Sequence, residues 1–155
     1  MIKYQFASET TEWSDENVCD LNLLLNQLSS HTRPLNRLDL RFVAAHSRLL
    51  FALHQEPERS NESIIGMATL APVAIPTGIF GHIEDVVVVE HFRGKGIGRE
   101  LTQRLIEEAR AMSMRHVDLT SNPSRTAANQ LYRSMGFQQW ETNVYRFNLK
   151  PDDSR

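Results

Sequence analysis

The sequence predicts a mixed α/β sheet with flanking helices, folded as one domain. Three observations carry that expectation. Apolar or alternating runs of strand length are interleaved with segments whose apolar residues recur every three to four positions. The chain has 155 residues, close to the roughly 150 of one ordinary domain. A run dense in β-branched residues, HIEDVVVVE (82–90), passes through a glycine-rich turn straight into a helical pattern.

The elements follow in order. IKYQF (2–6) alternates and reads as a first strand. Ser14 is a candidate N-cap, and Asp15 and Glu16 would occupy the first turn, where the helix dipole favours negative charge. Val18, Leu21, Leu25 and Leu28 then mark an amphipathic helix that the polar stretch 29–34 ends. Leu35, Leu38, Phe42 and Ala45 suggest a second, shorter helix. RLLFALHQ (48–55) and IIGMATLAPVAI (64–75) read as strands of an antiparallel hairpin joined by the polar turn 56–63. Residues 75–81, with Pro76 and two glycines, read as a loop, and 82–90 as a strand buried on both faces. The next helix carries Ile97, Leu101, Leu105, Ala109 and Met112 on one stripe. HVDLTS (116–121) is a strand, and Ser124 could cap a helix with Ala128, Leu131, Tyr132 and Met135 on its apolar face. Gly136 is placed as the C′ residue of that helix. Residues 137–140 and 144–149 close the chain as two more strands, so 1–150 forms the domain and 151–155 a polar tail. Trp13 and Trp140 read as packing residues.

Composition excludes several classes. Apolar residues make up 41%, too many for a disordered chain. The single cysteine, Cys19, forms no internal disulfide. The N-terminus turns acidic after Lys3 and is not a signal peptide, and the longest apolar run falls far short of a membrane span. A cytoplasmic protein with no membrane partner is expected. Seventeen basic and nineteen acidic residues give a net charge of −2, which argues against a general nucleic-acid binder. The six histidines, at 31, 46, 54, 82, 91 and 116, show no metal-ligand spacing, so no metal is assigned.

The average charge conceals a segregation. Residues 1–20 hold five acids and one base, whereas Arg93, Lys95 and Arg99 put three bases within seven residues. Gly94, Gly96 and Gly98 alternate with them at a strand-to-helix turn. Glycines let such a turn curl with its amides inward, and the helix start adds N–H groups and a positive dipole end. That combination suits a phosphate. It is not a P-loop, because Gly96 follows Lys95 where Ser or Thr is needed. Nor is it a dinucleotide fingerprint, because Arg99 stands where the last glycine or alanine belongs.

V-x-x-x-x-R-G-K-G-I-G, starting at Val88, resembles the cofactor motif of the GCN5-related N-acetyltransferases (GNAT). NPSRTAANQLYRSMGF (122–137) resembles the second cofactor segment of the same family, ending in Tyr-x-x-x-Gly-Phe. The two lie one helix and one strand apart, in the family's order, and the resemblance spans about residues 64–149. Glu90 and Arg125 stand where many members carry proline and asparagine. The resemblance implies a mixed, mostly antiparallel central sheet of six to seven strands flanked by about four helices. It implies acetyl-CoA as co-substrate, with its pyrophosphate on the loop Arg93, Gly94, Lys95, Gly96, Ile97, Gly98 and Arg99. The backbone of Val86, Val87 and Val88 would face pantetheine and the thioester carbonyl, and Asn122 and Asn129 are further candidate contacts.

Acetyl transfer to an amine needs a base for the amine, a donor for the developing oxyanion and an acid for the departing thiolate. By resemblance, Tyr132 is the candidate acid, and Glu84 the candidate base, directly or through water. Asp85 is the more structural of the two carboxylates, and strand alternation would point it to the face opposite Glu84. The expected reaction is direct attack by a primary amine of a small molecule in a ternary complex. Arg33 and Arg37, in HTRPLNR (31–37), could meet an anionic group on the acceptor. GHIEDVVV (81–88) also looks like the matching strand of glucosamine-phosphate N-acetyltransferases. That amino sugar, a protein N-terminus or lysine, and a non-catalytic acyl-CoA sensor remain alternatives, and the resemblance admits a homodimer.

Overall fold

The computed structural model describes residues 1–28, 33–57 and 62–149. The chain falls into two compact units, Met1–Asn122 and Pro123–Arg155. The first contains strands β1 (Ile2–Phe6), β2 (Arg48–His54), β3 (Ser63–Ile75), β4 (Gly78–Val88) and β5 (Val117–Leu119), with helices α1 (Asp15–Leu28), α2 (Arg37–His46) and α3 (Ile97–Ala111). The second contains α4 (Thr126–Ser134). His31, residues 58–61 of the polar turn 56–63 and the tail 151–155 lie outside the described residues.

The strands stand in the order β1-β2-β3-β4-β5. The first four are antiparallel and β5 joins β4 in parallel, so the sheet is mixed and mostly antiparallel. A parallel neighbour requires a crossover, and α3 supplies it. Along β2, Leu49, Phe51 and Leu53 join one core cluster with Leu21, Leu24 and Leu25 of α1 and Leu40 and Ala44 of α2. Leu50 and Ala52 alternate to the other face, where Ala52 pairs with Gly66 beside Leu101 of α3. Covering both faces explains why β2 is an unbroken apolar run. Leu21 and Leu24 are fully buried, and each contributes roughly 1.5–3 kcal/mol by leaving water.

Several expectations hold at the level of single bonds. Ser14 Oγ accepts from the Asn17 amide at 3.1 Å, the N-cap read from sequence. Trp13 is buried with its ring edge-on to Phe51, centroids 5.3 Å apart. Others change. Residues 75–81 are not a loop. β3 runs to Ile75 and β4 starts at Gly78, so Pro76 and Thr77 alone make a tight hairpin turn. In α2 the expected stripe faces outward: Leu38 and Phe42 are exposed, while Leu40 and Ala44 are buried. Leu40, Val43 and Ala44 form an equally regular stripe, and that one packs on the core. α4 begins two residues after Ser124, with Arg125 as N-cap and no side-chain cap.

The two closing strands do not form. Residues 137–148 adopt neither helix nor strand, so the described sheet has five strands and not six or seven. Trp140, expected to pack, is exposed, as are Val144, Tyr145, Phe147 and Leu149. Alternation says which side chains would share a face. A strand also needs a partner ladder, and a lone hairpin is marginal in water.

Candidate active site

The first unit holds its polar groups where β4 breaks its own regularity. Thr69 of β3 pairs with Glu84, and Met67 pairs with Val87, so Asp85 and Val86 together face the single residue Ala68. This is a β-bulge, and Asp85 takes a left-handed φ of 54° within it. Aspartate tolerates that conformation better than most residues. The bulge also cancels the expected alternation. Directly paired residues share a face, so Glu84 lies on the side of Thr69, and Asp85 lines a cavity together with Thr69 and Met67. Both carboxylates therefore stand on the α1/α2 side of the sheet.

The cavity measures about 320 Å³. Leu25, Leu40, Leu49 and Met67 give it apolar walls, and Thr69 and Asp85 are polar. The Asp85 residue is open to solvent at the mouth, yet the protein around its carboxyl displaces water. That desolvation, followed by the nearby charge of Glu84, raises its pKa above the ordinary aspartate value. Glu84 is not in the cavity wall. Its Oε1 lies 3.1 Å from His82 Nε2, two residues back on the same strand. The register pairs β5 with Gly81, His82 and Ile83 only, so Glu84 to Val88 run on past the last rung of the parallel ladder.

Val89 still donates to the Ile65 carbonyl, at 2.9 Å, before a single 3₁₀ turn over Glu90–Phe92. The glycine loop follows. Gly94 and Gly96 have φ of 74° and 81°, and a Cβ on either would meet nothing within 4 Å. Their glycine identity is thus a backbone requirement over open space, not a packing one. Gly96 is the N-cap of α3, and Glu100 donates the first helical bond to its carbonyl. The amides of Gly96, Ile97 and Gly98 precede the helical ladder, as an anion cradle requires. Ile97 itself is buried and anchors the turn. Arg93 is braced: its Nε donates to the Val88 carbonyl and an Nη to Gln27 of α1. Lys95 Nζ stands 4.8 Å over the Phe92 ring. Arg99 lies in the first turn of α3.

In the second unit, Tyr132 is buried near the end of α4. The helix closes in a Schellman motif: the Gly136 amide donates to Arg133 and the Phe137 amide to Tyr132, with Gly136 at φ 93°. Its usual apolar contact is the Phe137 ring, edge-on to Tyr132 at 5.8 Å. The sequence Tyr-x-x-x-Gly-Phe is therefore also the recipe that fixes the tyrosine ring. Burial raises the Tyr132 pKa, opposed in part by the Arg125 charge, so the hydroxyl keeps its proton at neutral pH. Asn129 Nδ2 reaches the Pro123 carbonyl at 3.4 Å. Asn122 is the last residue of the first unit and is exposed.

The first unit thus brings together Glu84, the Val86–Val88 backbone and the loop Arg93–Arg99, while Tyr132 and Asn129 share α4. Two charges expected to meet an acceptor are already engaged. Arg33 makes two hydrogen bonds to Asp39, at 2.8 and 2.6 Å, and Arg37 donates to Asp15 and to the Trp13 carbonyl. Sequence reasoning missed Asp85 as a cavity residue, because a bulge leaves no periodic signal. It also missed the capping box of Asn36 and Asp39, which N-x-x-D before an apolar run announces. No group of three or more metal-ligating side chains is present among the described residues. No helix among them is long and apolar enough to cross a membrane.

A strand leaving its parallel neighbour, a left-handed glycine turn and a helix N-terminus follow one another on a mixed sheet, an arrangement suited to an anion. A model of the acetyltransferase (GNAT) family matches residues 13–137, and the chain belongs to that family and is an acyltransferase of the N-acetyltransferase type. N-alpha-acetyltransferase 30 of Schizosaccharomyces pombe is 27% identical over 110 residues, 67% of this chain and 73% of that protein. Glucosamine 6-phosphate N-acetyltransferase 1 of Oryza sativa subsp. japonica is 38% identical over 60 residues, 39% of this chain and 34% of that protein. A solved acetyltransferase of Trypanosoma brucei superposes with a TM-score of 0.74 at 27% identity, covering 96% of this chain and 100% of that one.

Proposed function

We propose that the chain moves an acetyl group from acetyl-CoA to a primary amine of a small molecule, by direct attack in a ternary complex. The observation that carries this reading is the pair of left-handed glycines, Gly94 and Gly96, opening α3 over unfilled space at the end of β4. The donor supplies an activated thioester; the protein supplies placement and proton handling. The amides from Gly94 to Gly98 hold the pyrophosphate, with Lys95 and Arg99 adding charge. Arg93 acts on this site chiefly by fixing Val88 and α1. The Val86–Val88 backbone directs a donor hydrogen bond at the thioester carbonyl. Glu84, beside His82, takes the amine proton, and Tyr132 keeps its own proton for the departing thiolate. Asn122 and Asn129 are donor contacts on either side of Pro123. The family match crosses both units, which supports reading 1–150 as one domain.

The test is thermal stability with saturating acetyl-CoA, then thiol release across amino sugars, polyamines, amino acids and peptides. A raised melting temperature and amine-dependent thiol release are expected; no stabilisation by the donor would count against the whole reading. The fission-yeast relative favours a second reading, transfer to a protein N-terminus, and peptides as the best acceptors would select it.

A further inference from the structure

We infer that the cavity beside the β4 bulge is the acceptor pocket, and that it takes a primary amine on a compact apolar body whose ammonium docks on Asp85. The inference rests on the N-acetyltransferase reading and names the substrate class of that site. Position is the first argument. Asp85 precedes Val86 in the bulge, so its carboxylate stands at the strand segment that would face the thioester, on the same side as Glu84. Shape and chemistry are the second. Six apolar side chains, Leu25, Leu35, Leu40, Val43, Leu49 and Met67, wall about 320 Å³, enough for a small amine's hydrocarbon portion. The polar groups of the described wall are few: Thr69, Asp85 and Arg33.

Charge is the third argument, and it selects against a phosphorylated amino sugar. Arg33 is the cation of the described wall, and it is held in a two-pronged pair with Asp39, itself fixed by the Asn36 amide. A phosphate would meet a guanidinium whose charge that carboxylate already offsets. An ammonium fits better, because among the described residues no cation pairs with Asp85, whose charged neighbour is Glu84. Strain is the fourth. A non-glycine residue at φ 54° in a strand is retained against a backbone cost, a pattern found at functional positions.

The division of labour then follows. Asp85 orients the ammonium, and Glu84 with His82 removes a proton from it before attack. Calorimetric titration of phenethylamine, its alcohol counterpart 2-phenylethanol, and glucosamine 6-phosphate into the full chain tests the pocket without requiring turnover. The amine is expected to bind at least tenfold tighter than the alcohol and than the sugar phosphate. Asp85→Asn and Asp85→Gly are expected to weaken amine binding at least tenfold. Glycine relieves the left-handed φ, so Asp85→Gly keeps or raises the melting temperature, which separates lost recognition from lost folding. Unchanged amine affinity in both variants, or tighter binding of glucosamine 6-phosphate, overturns the inference. Donor stabilisation by acetyl-CoA, read separately, tells failure of this pocket from failure of the acetyltransferase reading.

Discussion

Gly94→Ala separates backbone strain from ligand exclusion. At φ 74° an alanine pays for the left-handed conformation, roughly 1–2 kcal/mol. No protein atom lies within 4 Å of the new methyl, so no packing cost is added. For a chain of this length, about 1 kcal/mol lowers the melting temperature by about 2–4 °C. The methyl does stand where the cradle would receive a pyrophosphate, so acetyl-CoA should bind at least tenfold more weakly. Gly81→Ala is the contrast. Its Cβ would fall 2.5 Å from Leu70 Cδ1 and 2.9 Å from Met114 Sδ, an overpacking that costs about 1–3 kcal/mol. There the folded fraction should keep its donor affinity. Thermal melts with calorimetric titration of acetyl-CoA measure both quantities. If Gly94→Ala melts a few degrees lower yet binds acetyl-CoA like the parent, the cradle does not hold the donor and the reasoning fails.

Tyr132→Phe keeps the ring against Phe137 and should leave stability and donor affinity unchanged, while turnover falls by about 10²–10⁴; unchanged steady-state turnover would remove its role as acid. Glu84→Gln should lower turnover throughout the neutral range, and full activity at every pH near neutrality would remove it as the base. Asp39 has its pKa lowered from 3.8 to about 2, first by the hydrogen bond from Arg33 and then by that from the Asn36 amide. A depressed folded value means its contribution is complete above the unfolded value and fades as pH falls toward 2. Carbon-detected NMR titration should find that value, and Arg33→Ala should move it back toward 3.8. Asn36→Ala removes the side-chain acceptor for Leu38 and Asp39 and should cost about 0.5–2 kcal/mol in denaturant melts.

Local chemistry that sequence can express was legible. Ser14 before Asp15 and Glu16 caps α1, Gly136 ends α4 in the left-handed region, and the alternating glycines open α3. Each depends on residues a few positions apart. Partner-dependent features were not legible. The hydrophobic stripe of α2 had two equivalent phases, and packing on Leu49 and Phe51 chose between them. The alternation of 144–149 looked like a strand, but pairing requires another backbone. Arg33 and Arg37 read as available cations until Asp39 and Asp15 appeared beside them.

The β4 bulge shows how such a failure becomes informative. A rule of period two predicts that Glu84 and Asp85 point apart, and a continuous strand would obey it. One extra residue opposite Ala68 shifts the phase, so two carboxylates reach the same side next to a backbone segment with no β5 partner in register. The same insertion bends the strand and forces Asp85 into a left-handed φ. A sheet built for stability alone would place glycine there, or no extra residue. Retaining an aspartate at that point accepts strain and carboxylate repulsion together, and the return on both is a charged group at the mouth of an apolar cavity. On the proposed reading, acceptor specificity is set where the strand departs from its repeat.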